Sequence, residues 1–166
     1  MSRQNNTPHP ASTDANVKTK EMLLKQLNRT MARLIDVYQN MANPETEIYE
    51  GWTAKNILGH ITFWHESFAR NVSDLVNGCK PTPLKGTYAD LNQRSLEEMK
   101  GLTVECIMAR LSAAQQVIQQ NILSPTLQLI PYRKGSRDYT PEEHLDVVNG
   151  HIMEHLKSIE KVRKGN

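Results

Sequence analysis

Three features of the 166-residue sequence predict an all-α fold. Apolar residues recur at alternating three- and four-residue intervals in four long stretches, which puts each set on one stripe of a helix. Residues suited to helix caps and helix ends punctuate those stretches. No alternating apolar–polar run bounded by hairpin turns is present, and Leu127-Gln128-Leu129 is too brief to count as a strand. Four amphipathic helices bury their stripes against one another, so the expected architecture is a four-helix bundle.

Residues 1–16 are polar, contain two prolines and show no periodicity, which predicts a disordered tail before a single domain over 17–163. The first helix is expected near 18–42. Its stripe is Leu24, Leu27, Met31, Leu34, Tyr38 and Met41, and Asn43-Pro44 ends it, because the residue before proline is pushed out of helical conformation. The second is expected over 54–77, with Thr53 as N-cap and Trp52 and Ile57 placed to form a hydrophobic staple. Its stripe runs through Ile57, Ile61, Trp64, Phe68, Val72 and Leu75, and Asn77-Gly78 closes it. After a proline-containing loop, 88–100 reads as a shorter helix. Gly101 interrupts it and Thr103 can restart the chain, so 88–122 is either one kinked helix or two. Val104, Ile107, Leu111, Ala114, Ile118 and Ile122 define a long helix near 103–123. Thr140-Pro141-Glu142-Glu143 combines an N-cap, a proline at the first helical position and a capping-box glutamate, and starts a last helix over 141–163.

The composition narrows the function classes. Twenty basic and 18 acidic residues give a net charge of +2, no electrostatic footprint for nucleic acid. No apolar run approaches the roughly 20 residues that cross a bilayer, and the first 16 residues lack the basic-then-apolar pattern of a secretory signal. Two cysteines, Cys79 and Cys106, form neither a disulfide framework nor a thiolate zinc site, so a reducing cytoplasmic location is expected.

The six histidines carry the chemistry. His151 and His155 are one turn apart on the last helix, His155 near the middle of the stripe formed by Val148, Ile152 and Ile159, and His151 on its flank. Two imidazoles on a buried face are costly unless their nitrogens are satisfied, by carbonyls or water in the bland case. His60 lies three residues after Ile57 and four before Trp64, on the inward stripe of the second helix. Two histidines from one helix and one from another can form a three-nitrogen site for zinc or a neighbouring metal, with an open fourth position. His65, five residues past His60, is expected at the surface or rim. His144 shares the face of His151 but lies about 10 Å further along the axis, where it can line the approach. His9 falls in the tail. The segment His151-Ile152-Met153-Glu154-His155 also fits the inverted zincin pattern, but too little chain follows to supply the carboxylate ligand of a peptidase.

The segment from Trp52 through Lys55 and His60 to Trp64 resembles the signature opening the second helix of DinB-like four-helix bundles. The segment from Thr140 to His151, His155 and Leu156 resembles the last helix of that superfamily, and Tyr88 through Glu98 is similar to its ClbS/DfsB branch. The resemblance covers about residues 17–163. It implies an up-down-down-up bundle of the DinB/YfiT kind, and a divalent metal, nickel or zinc, held by His60, His151 and His155. Relatives with known chemistry include thiol-dependent transferases and isomerases, whereas ClbS itself acts on a reactive small molecule without crediting its chemistry to such a triad. Bundles of this superfamily are often homodimers.

Two functions follow as expectations. The first is a metal-dependent thiol transferase or hydrolase acting on a small electrophile in stress or detoxification, since a metal with an open position lowers the pKa of a bound thiol or water. Trp64 and Met153 would line the substrate pocket, and Arg133, Lys134 and Arg137 would attract an anionic low-molecular-weight thiol, unless they form only a solvated loop. The alternative is a ClbS-like, metal-independent protein that binds or opens a reactive small molecule. A blander option is a structural or oligomerising bundle with core histidines.

Overall fold

The computed structural model describes residues 11–165, with side chains from Thr19 onward. Its elements are α1 (Ala11–Gln39), β1 (Glu47–Tyr49), β2 (Trp52–Thr53), α2 (Ala54–Val76), α3 (Tyr88–Met99), α4 (Val104–Asn121) and α5 (Pro141–Gly165). The all-helical class is as expected. The helix α1 begins at Ala11, so residues 11–16, expected as tail, are helical instead; the rest of that tail, with His9, lies outside the described residues.

Local chemistry sets the helix starts. Thr53 accepts the Asn56 N–H at 3.1 Å while the Asn56 side chain accepts the Thr53 N–H at 3.0 Å, a reciprocal capping box at the head of α2. Thr140 and Glu143 make the same pair of bonds at the head of α5. Residues 88–122 are two helices: Gly101, at φ +82°, turns the chain, and Thr103 caps α4 by accepting the Cys106 N–H at 3.2 Å. One small element was not expected. β1 and β2 pair antiparallel, Glu47 with Thr53 and Tyr49 with Trp52, and the hairpin packs against α5. Strands of three and two residues are too short to show the alternation by which a strand is recognised.

Side-chain pairs give the directions of the long helices. Thr30 meets Asn149 at 2.6 Å and Arg33 meets Glu160, so α1 and α5 run parallel. Asn56 and Ile107 share one cavity wall, Glu66 binds Arg110, and Ser73 and Val117 line one groove, so α2 and α4 also run parallel. His60 meets His151 whereas Phe68 stacks on His144, so α2 and α5 are antiparallel. The four long helices thus follow an up-down-down-up order around a core that includes Leu27, Leu34, Ile61, Leu111 and Leu156.

α2 sits against α3, α4 and α5 together, and is buried on most of its circumference. That overturns the expectation for His65, which is only 2 % exposed. About 140° around the helix from His60, it points to α4 instead of solvent. Its Nε2 lies 2.6 Å from Gln115 Oε1, and the Gln115 amide donates to Asn28 of α1 at 2.7 Å. No described helix is long and apolar enough to cross a membrane.

Candidate metal centre

His60 projects from the second turn of α2 toward α5, where His151 and His155 stand one turn apart. His151 Nε2 is 3.1 Å from His60 Nε2 and 2.9 Å from His155 Nε2. The three rings are mutually steep, at 79°, 80° and 69°, as planes radiating from a shared point are. The three sequence-predicted ligands therefore converge, each offering a nitrogen within 4.8 Å of the others.

Hydrogen bonding alone serves this cluster poorly. An imidazole nitrogen carries either one proton or one lone pair in the ring plane. His151 Nε2, facing two other Nε2 atoms, can satisfy one of them well. Three lone pairs aimed at one cation are satisfied together, and bonds of about 2.0–2.1 Å place ligand nitrogens roughly 3 Å apart. Burial lowers the pKa of His60 to about 3 and of His155 to about 4, with the neighbouring rings adding to each shift, and burial also lowers that of His151. All three rings are accordingly neutral at pH 7, the form that ligates metal. The three residues could hold a metal ion.

Neighbours hold the rings. The Tyr49 hydroxyl, brought in by β1, is 3.1 Å from His155 Nδ1. This fixes the ring's other nitrogen and leaves Nε2 for the cluster. Trp52 from β2 packs edge-on against His60, with centroids 5.8 Å apart. Asn92 of α3 accepts the Trp64 indole N–H at 3.4 Å and stands near enough to His60 to favour its protonated form, while His60 Nδ1 itself is buried without a hydrogen-bond partner among the described residues.

The other predicted site residues are distributed differently. Trp64 stacks on Tyr132 at 5.3 Å and shares a crevice wall with His151. Met153 packs half-buried against the apolar core. Two residues from each α5 histidine, it projects from another side of that helix. Arg133 donates to the Gly86 carbonyl at 2.9 Å and lies over the Tyr88 ring. Arg137 pairs with Glu143 at 3.1 Å and lies over Tyr139. The Lys134 backbone N–H donates to the Leu84 carbonyl.

Sequence reasoning missed Tyr49, Ser67, Asn71, Asn92 and Tyr132. Ser67 and Asn71 had a signal: with His60 and Trp64 they follow a four-three-four spacing, which puts them on the inward stripe. No family model, curated protein or solved structure matches the chain.

Proposed function

We propose that the chain is a DinB-like four-helix bundle in which His60, His151 and His155 hold a divalent metal, zinc or nickel, and that it acts as a metal-dependent thiol transferase or hydrolase on a small electrophile. The observation that carries this reading is the convergence of three neutral imidazole nitrogens from α2 and α5. The parallel and antiparallel pairings of the long helices support the bundle assignment.

Three protein donors leave at least one coordination position for an exogenous atom, and an ion held there supplies Lewis acidity toward a nucleophile brought to that position. The chain's own residues do the rest. His60, His151 and His155 present unprotonated nitrogens. Tyr49 holds His155 in one orientation, and Trp52 covers one edge of His60. Trp64, Tyr132 and Phe68 offer an apolar wall beside His151 for the body of a small molecule.

The test is metal analysis of protein purified without affinity resin, followed by a thiol-transfer and hydrolysis screen on small electrophiles. One equivalent of zinc or nickel, and activity lost on chelation and restored by the ion, are expected. Protein that takes up no stoichiometric metal would overturn the reading. Full activity after chelation would favour a metal-independent, ClbS-like protective protein.

A further inference from the structure

Beside the histidine cluster, a narrow crevice runs between α2 and α5, and its lining residues carry three buried polar atoms without a hydrogen-bond partner among the described residues: Ser67 Oγ, Asn71 Oδ1 and His144 Nδ1. Ser67 and His144 are each 2 % exposed and Asn71 is 1 % exposed. Native interiors rarely leave such groups unpaired, and three around one crevice, two from α2 and one from α5, call for a group that enters and pairs with them. The two helices arrange this by matching stripes. On α2 the order is His60, Trp64, Ser67, Asn71; on antiparallel α5 it is His155, His151, Val148, His144. The histidine cluster occupies one end of the facing pair and the unpaired polar atoms the other.

The chemistry of the crevice specifies what it takes. Among the described residues, no carboxylate, lysine or arginine lines it. Burial lowers the pKa of His65 and His144 to about 4 each and raises that of the Tyr132 phenol to about 12, so the walls are uncharged at pH 7. An ionic head group would lose its hydration there without a counter-charge. Asn71 Oδ1 requires a donor, because the Asn71 amide already donates to the Pro131 carbonyl at 3.1 Å. The Ser67 hydroxyl can both give and accept. The cavity volume of 20 Å³ suits a group the size of one water. A hydroxyl is a donor and an acceptor, is uncharged, and has that size. The aromatic flank of Trp64, Phe68 and Tyr132 suits the carbon skeleton that carries it.

We propose that this crevice is a substrate subsite that binds the hydroxyl end of a small neutral alcohol, and so directs the remainder of the molecule toward His151 and the histidine cluster. The proposal rests on reading that cluster as the reactive end of the site.

The test uses the full chain after dialysis against chelator, so that alcohol binding is measured apart from metal. Methyl carbon–proton spectra report Ile61, Val148 and Ile152, which line the crevice. n-Propanol should give saturable shifts at these methyls, while propionate and propylammonium at equal concentration should not. Ser67→Ala, which removes a hydroxyl that makes no hydrogen bond among the described residues, should weaken propanol binding by about three- to tenfold. Asn71→Leu should weaken it at least as much. No saturable shift, an equal response to the charged probes, or propanol binding indifferent to Ser67→Ala would overturn the subsite. Zinc titration of the same samples separates the two readings. Zinc uptake without alcohol binding overturns the subsite alone, and alcohol binding without zinc uptake overturns the reading of the histidine cluster alone.

Discussion

Tyr49→Phe removes one hydroxyl from an exposed hairpin residue and with it the contact to His155 Nδ1. Groups in this position tune a histidine's orientation and basicity, and their loss costs about 10- to 100-fold in metal affinity. Tyr49 is open to solvent, so water can replace it in part, and a loss near the lower end, about tenfold, is expected in a competitive zinc titration. An unchanged affinity would show that the hydroxyl does not orient the ring. His155→Ala goes further. Two imidazoles are too few to hold a labile divalent ion, so both metal and metal-dependent activity should vanish. The stability of the metal-free variant should change little, because removing a buried polar ring and opening a cavity oppose each other at about 1–3 kcal/mol each. A His155→Ala protein that still binds one equivalent of metal would show the ligands to be misassigned. His60, His151 and His155 were legible from sequence because each lies on a stripe that also carries core residues. Tyr49 was not, because its partner is 106 residues away and only the hairpin turn brings them together.

At the scale of elements, the histidine of α2 is set by its helix start and by what presses on the helix. A Cβ built at Gly59 would come within 3.0 Å of Met99 Cβ and Cγ, so α2 and α3 touch at the residue preceding His60. Gly59→Ala gains helix propensity, worth up to about 1 kcal/mol, but overpacks this contact at a cost of about 1–3 kcal/mol. Because Met99 Cβ sits rigidly on its own helix, the overpacking should win. A lower midpoint in urea denaturation and a weaker zinc affinity are expected together, and a variant more stable than wild type would refute the close approach. The four long helices were readable because capping residues and stripes are local signals, whereas the division of 88–122 into two helices was left open, because a glycine after a weakly striped segment fits a kink as well as a break. The hairpin was not readable, since two very short strands carry no period. The position of His65 was misread for a different reason. One helix's sequence tells which residues share a face, but not how many neighbours surround it, and α2 is enclosed by three helices.

For the whole molecule, that enclosure makes stability depend on pH. His65 and His144 are each held near pKa 4 against about 6.5 unfolded. Burial is the main cause for both, opposed at His65 by the Gln115 hydrogen bond and the charge of Glu66 and at His144 by its own backbone carbonyl, with a smaller reinforcement at His144 from the positive charge His65 would carry. Above pH 6.5 both rings are neutral in either state and the fold has its full stability. As pH falls from 6.5 toward 4, the unfolded chain takes up protons that the native chain refuses, so stability declines across that window and the decline from these rings levels off below it. One pKa unit corresponds to about 1.4 kcal/mol, so the two rings together withdraw several kcal/mol, a large share of an ordinary domain's stability. Urea denaturation of chelated protein at pH 7, 5.5 and 4 should show this fall, with chelation removing the separate pH dependence of metal ligation. His65→Gln isolates one ring. A glutamine at 65 can still face Gln115 but cannot titrate, so the variant begins less stable at pH 7 and loses less on acidification. Equal losses in the variant and the wild type would place the acid sensitivity elsewhere in the molecule.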